Sequence, residues 1–224
     1  MFDALRSGPV AAACRWALVA GVTAVEAAAL SVWLALLAGA SPWSREAAVG
    51  VVALAAALLV GHFLVDLTVN GPAVGFPLGR TLAVSLSEAA LWTGWLAVVA
   101  ALGGARGLFV GGVAFAVALA VQHTAEVDAL RGAPLGSRLF DVRTVGYSLV
   151  TAGGATAWLA LETGLASAGP LADIAAGVGV APGTAGFAVL VAALLVEHAV
   201  GVAIARRERA ERTTPAWYRR RSWT

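Results

Sequence analysis

The chain alternates long apolar stretches with short polar breaks. Six stretches, at 16–37, 47–69, 81–102, 107–127, 144–165 and 184–205, reach the ~20 residues that a helix needs to cross a bilayer. The breaks carry turn formers: Ser41-Pro42, Asn70-Gly71-Pro72, Gly103-Gly104, Gly132-Ala133-Pro134 and Gly169-Pro170. The connection over 169–183 is the longest, and 171–180 within it reads as a short interfacial helix. The pattern predicts an all-α integral membrane protein with six transmembrane helices. Residues 1–205 form one transmembrane domain, and 206–224 form a basic tail.

Composition agrees. Of 224 residues, 60% are hydrophobic and 12% are charged, about half the charged share of an ordinary soluble domain. A soluble enzyme, a disordered tail and a disulfide scaffold are excluded. All fifteen basic residues are arginine, which excludes a retinal Schiff base, a pyridoxal-phosphate lysine and a Walker-type lysine. The single cysteine, Cys14, excludes an intrachain disulfide, a CxxC redox pair and a cysteine-ligated iron–sulfur cluster.

Arginine placement sets the orientation. Thirteen arginines fall in the N-terminal segment, the 70–80 and 128–143 connections and the tail, whereas Arg45 and Arg106 alone fall on the other side. Both termini are therefore expected in the cytoplasm, with the chain in the plasma membrane of a prokaryote. Ala38-Gly39-Ala40 looks like a signal-peptidase site. The apolar run before it, however, is longer than a signal-peptide core of about 7–15 residues and contains Glu26, so the first span is expected to be retained.

Internal repetition is visible. Trp33-Leu34-Ala35, Trp95-Leu96-Ala97 and Trp158-Leu159-Ala160 recur at spacings of 62 and 63. Glu26, Glu88 and Thr151 each lie seven residues before the tryptophan, and His62, His123 and His198 fall one in each even-numbered span. The Asn70-Gly71-Pro72 linker leads to Arg80-Thr81 as Gly132-Ala133-Pro134 leads to Arg143-Thr144. Three tandem helical hairpins, at about 10–70, 71–133 and 134–205, are expected to close around a pseudo-threefold axis with the even spans facing one another.

Ionisable groups in hydrocarbon are costly and tend to face a bundle interior. The three histidines each lie eight residues before the next polar boundary (Asn70, Arg131, Arg206), and Glu88 lies eight after Arg80. All four therefore sit at one depth, in the cytoplasmic third. The candidate site is His62, His123, His198 and Glu88, supported by Glu26, Asp66, Glu126 and Glu197. His62 with Asp66 (i,i+4) and His123 with Glu126 (i,i+3) share helical faces, whereas the adjacent Glu197 and His198 do not.

These residues support a pathway for protons, a cation or a small polar solute. They also support a metal or haem site, with His62, His123 and His198 as ligands to Zn, Cu or Fe, or two of them clamping a haem. A non-catalytic accessory or scaffold subunit, in a homo-oligomer or larger membrane complex, is a further reading. Hydrogen bonds between helices alone are the plainest one. No HExxH or GxSxG motif is present, so enzymatic chemistry is weakly supported. Trp33, Trp95 and Trp158 are expected to form an interfacial aromatic belt. In the tail, Trp217, Arg219, Arg220, Arg221 and Trp223 read as a foot on anionic lipids of the bilayer; nucleic acid is not expected as a partner.

Overall fold

The computed structural model describes residues 8–41, 44–70, 78–166 and 169–213, with side chains to Arg207. Seven helices and no strands are present among the described residues: α1 (Pro9–Leu37), α2 (Arg45–Asn70), α3 (Leu78–Leu102), α4 (Gly104–Leu130), α5 (Val142–Glu162), α6 (Pro170–Gly177) and α7 (Pro182–Thr213). The six long helices follow the six apolar stretches. α2, α3 and α4 each begin or end at a predicted turn, and α6 starts at Gly169-Pro170. Between α3 and α4 the chain reverses in one residue, because Gly103 (φ 66°) and Gly104 (φ 53°) adopt left-handed backbone that a side chain would strain.

Five helices, α1 to α4 and α7, are long and apolar enough to cross a membrane. They mark the chain as a multi-pass membrane protein. The fifth predicted stretch folds as α5, which is shorter and carries Arg143, Thr144, Tyr147, Ser148 and Thr151 along its length. The short α6 lies against α7. It buries Ala172 and Ala175 and turns Leu171, Ile174 and Val178 outward, the one-sided apolar pattern of a surface-lying helix.

The helices pack as a closed ring of pairs. Within pairs, α1 packs on α2, α3 on α4 and α5 on α7; between pairs, α2 meets α3, α4 meets α5 and α7 meets α1. The inner members α2, α4 and α7 also touch one another. Small residues permit the closest approach. A Cβ on Gly154 of α5 would lie 2.5 Å from Ala193 Cβ, and one on Gly186 of α7 would lie 3.0 Å from Trp158 Cα. Such contacts matter in lipid, where helix association relies on close packing.

Two cores divide the bundle along its length. The larger lies toward the Arg45 and Arg106 end and contains Leu30, Trp33, Leu54, Trp92, Trp95, Phe115, Leu119, Trp158, Leu190 and Leu194. The smaller lies toward the arginine-rich end and contains Val19, Val22, Val65, Val69, Val202 and Ala205. The expected aromatic belt is corrected here. Trp33, Trp95 and Trp158 are 0%, 4% and 3% exposed, and they fill the bundle interior. Trp92 packs edge-on to Trp33, Trp95 and Phe115, with ring centroids 6.4, 5.8 and 4.8 Å away. Alanine- and glycine-rich neighbours leave an interior that only large rings fill.

If Gly154 sets the α5–α7 distance, Gly154→Val should lower stability by about 1–3 kcal/mol through overpacking. Gly153→Val, whose Cβ meets open space, should cost well under half of that. Thermal unfolding of both variants in detergent checks the difference.

Candidate functional site

Between the two cores, the three histidines repeat one arrangement. Thr23 on α1, Ser85 on α3 and Ser148 on α5 each donate a hydroxyl hydrogen to the carbonyl four residues earlier: Val19, Thr81 and Thr144, at 3.0, 2.9 and 2.7 Å. Their oxygens are then left to accept. Each faces an imidazole Nδ1 from the neighbouring pair: His198 on Thr23 at 3.0 Å, His62 on Ser85 at 2.9 Å and His123 on Ser148 at 2.7 Å. A hydroxyl that has spent its proton requires Nδ1 to carry one, which assigns the tautomer of all three rings.

The other ring nitrogen of each histidine faces a carboxylate. His198 Nε2 lies 3.0 Å from Glu26 and His123 Nε2 lies 3.1 Å from Glu197. His62 Nε2 lies 3.4 Å from Glu88 and 3.8 Å from Glu126. With Nδ1 already protonated, each Nε2–carboxylate contact needs one proton between its two atoms, on the ring or on the acid. The other oxygen of Glu197 accepts from Thr151 Oγ1 at 2.5 Å. Thr151 stands seven residues before Trp158, as Glu26 and Glu88 stand before their tryptophans. At that seam the acid therefore comes from α7 and the threonine holds it.

These links leave little water in the site. Glu26, Glu88, Glu197 and His123 are buried, and His62 is 8% exposed. Glu26, His62, Glu88, Glu126, Glu197 and His198 surround a small cavity with room for about one water molecule. Glu26 Oε1 has no hydrogen-bond partner among the described residues. A second small cleft, lined by His62, Asp66, Thr81 and Glu126, runs beside Ala129 and Leu130 toward the arginine-rich end. His62 and Glu126 line both spaces.

Seven of the eight predicted site residues thus meet in one cluster, though not in the predicted pairs. Asp66 accepts from Asn70 Nδ2 at 2.7 Å instead of holding His62. Glu126 reaches His62 on α2 instead of His123 on its own helix. In both cases a neighbouring helix presents a nearer partner than the same face does. Glu197 and His198, about 100° apart around α7, both reach the cluster because α7 is an inner helix. One side chain points toward α4 and α5, the other toward α1. Thr23, Ser85, Ser148 and Thr151 were not among the predicted site residues. Their signal was present: the three hydroxyls recur at the same 62 and 63 spacing as the tryptophans. The lipid-contacting candidates Trp217, Arg219, Arg220, Arg221 and Trp223 lie outside the described residues. Among the described residues, no group of three or more His, Cys, Asp or Glu side chains is arranged to hold a metal ion.

The α4–α5 connection adds a second polar assembly. Asp128 accepts from Ser137 Oγ at 2.6 Å and from Arg138 at 2.8 Å, and it also pairs with Arg131. Asp141 caps α5 through the backbone N–H of Arg143 at 3.0 Å and binds the guanidinium groups of Arg143 and Arg138. The side-chain hydrogen bonds of Arg143 lead in holding the Asp141 carboxyl down to about 2, against an ordinary 3.8. Comparison with known protein families finds no match, and none of the curated proteins or solved structures compared is similar to the chain.

Because Asp141 binds its proton less readily when folded, its contribution to stability is full above about pH 4 and fades as pH falls through about 2. The stability advantage of the parent over Asp141→Asn should therefore be constant above about pH 4 and shrink toward pH 2. Paired thermal melts across that range measure it; an advantage unchanged at the acid end would contradict the assignment.

Proposed function

We propose that the chain is a six-span membrane protein of three tandem hairpins around a pseudo-threefold axis, and that its buried histidine–carboxylate cluster moves protons across the membrane. The repeat reading is supported by the matched links at all three seams, each a hydroxyl, an imidazole and an acid. The sixth span is α5: its 21 residues extend about 31 Å, close to the ~30 Å hydrocarbon core. The arginine bias favours both termini in the cytoplasm of a prokaryotic cell, with the tail resting on anionic lipid.

The observation that carries the proton reading is His62 Nε2, placed 3.4 Å from Glu88 and 3.8 Å from Glu126. One imidazole faces two acids, whereas the other two histidines hold one each at 3.0–3.1 Å. Glu126, with a side chain 19% exposed, exchanges protons with the cleft beside Asp66. His62 passes them to Glu88 on the cavity side. The cavity suits a water molecule and a proton better than a solute or a hydrated cation. The metal and haem readings would need imidazole nitrogens that here already face carboxylates or hydroxyls. Beyond the cavity, the Trp33–Trp92–Trp95–Phe115 group closes the bundle, so a full crossing requires that half to open.

A scaffold reading is favoured by one fact: the same link bridges every seam, which would serve equally to hold a ring together for a partner subunit. Proton flux into liposomes under an imposed pH gradient separates the two. His62→Ala and Glu126→Gln should slow flux about a hundredfold while Glu46→Gln, at an exposed helix start, does not. Undiminished flux in both site variants, in protein that remains folded, would leave the scaffold reading.

A further inference from the structure

A larger cavity than either space at the cluster lies away from it, on the outer surface where α1 meets α7. It is a groove of about 300 Å³ flanked by Arg15 and Arg206 and floored by Val19, Ala199, Val202 and Ala203. Trp16, 59% exposed, stands at its rim. We propose that this groove binds one phospholipid with an anionic headgroup, an acyl chain lying on the apolar floor and the phosphate between Arg15 and Arg206.

Charge complementarity carries the argument. Arg15 and Arg206 are half-buried and near enough to repel one another. Neither has an acidic partner among the described residues. The contrast is the α4–α5 seam at the same end of the bundle, where Arg131, Arg138 and Arg143 meet Asp128 and Asp141. At the α1–α7 seam no acid among the described residues supplies that counter-charge, and the floor beneath is apolar. A chain in a bilayer meets one abundant ligand with both properties, and basic pockets between helices at the headgroup level recruit it. The exposed indole adds an amphipathic contact at the same level. Deeper in this seam, His198 closes the helices through Thr23 and Glu26, so the groove ends in a wall and does not open into the cluster.

Native mass spectrometry of the full chain, with phosphatidylglycerol or phosphatidylcholine of matched acyl chains, tests the proposal. One phosphatidylglycerol should be retained per chain and phosphatidylcholine should not. Arg15→Gln with Arg206→Gln should weaken retention about thirtyfold, the loss expected for two arginines at a lipid surface. Arg15→Lys with Arg206→Lys should keep most of it. Ala203→Trp fills the groove, leaves both arginines and should also release the lipid, which separates this site from any binding by the arginines of the tail. Soluble glycerol phosphate should not bind, since it lacks the chain that the floor accepts. Equal retention of the two lipids, retention by the Ala203→Trp variant, or glycerol phosphate binding as tightly as the lipid would overturn the assignment. A thermal melt of each variant confirms that lost binding is not lost fold.

Discussion

One constraint shapes the middle of this bundle. A serine or threonine inside a helix gives its hydroxyl proton to the turn below, and its oxygen then takes a proton from the histidine of the next helix pair. The imidazole is left with a single free nitrogen, and that nitrogen lies against an acid. Every such contact between pairs therefore holds one proton that belongs to neither residue alone. In hydrocarbon an isolated carboxylate or imidazolium is expensive, so each acid is kept by its histidine and each histidine by its acid and hydroxyl. Removing any one member leaves a buried polar group without its complement.

The surrounding packing follows from where these links lie. The acids stand two turns from the large tryptophans on the same helices: Glu26 before Trp33, Glu88 before Trp95. Polar and aromatic layers are thus stacked by helical register, a hydrogen-bonded layer beside a ring-filled one. The aromatic layer keeps water from reaching the acids from the Arg45 and Arg106 side, and the valine core covers most of the other. The gap left between them passes His62 and Glu126. That makes the α2–α3–α4 region unlike the other two seams, where a histidine and an acid are in closer contact. A ring of similar links with one loosened member suits the proton pathway we propose.

Much of this was legible in the sequence. Hydrophobic run length placed all six long helices and the short α6, because a segment that must satisfy its backbone in lipid has few choices. The depth argument put His62, His123, His198 and Glu88 at one level, and all four lie in the cluster, since distance from a polar boundary converts directly into height along a helix. What failed was partner choice. Same-face spacing suggested His62 with Asp66 and His123 with Glu126, but spacing along one helix says nothing of what the next helix presents. Trp33, Trp95 and Trp158 were misplaced for the same reason. Their position near the ends of apolar runs is shared by interfacial anchors and by core rings, and only the small residues facing them decide between the two. The hydroxyls carry no signal alone, because serine and threonine are common in helices; they mark a site only when Thr23, Ser85 and Ser148 are aligned with Glu26, Glu88 and Thr151 three residues on.

The measurement that bears most directly on the cluster is infrared difference spectroscopy of the liposome-reconstituted protein after a rapid pH change. If protons move through the His62–Glu88–Glu126 group, a protonated-carboxyl band will rise and decay reversibly. It will diminish in Glu126→Gln and in Glu88→Gln, and will keep its size in Glu46→Gln. A carboxyl region that stays flat through the pH change, in protein whose helices remain intact, would contradict the account and reduce the three histidines to bolts between helices.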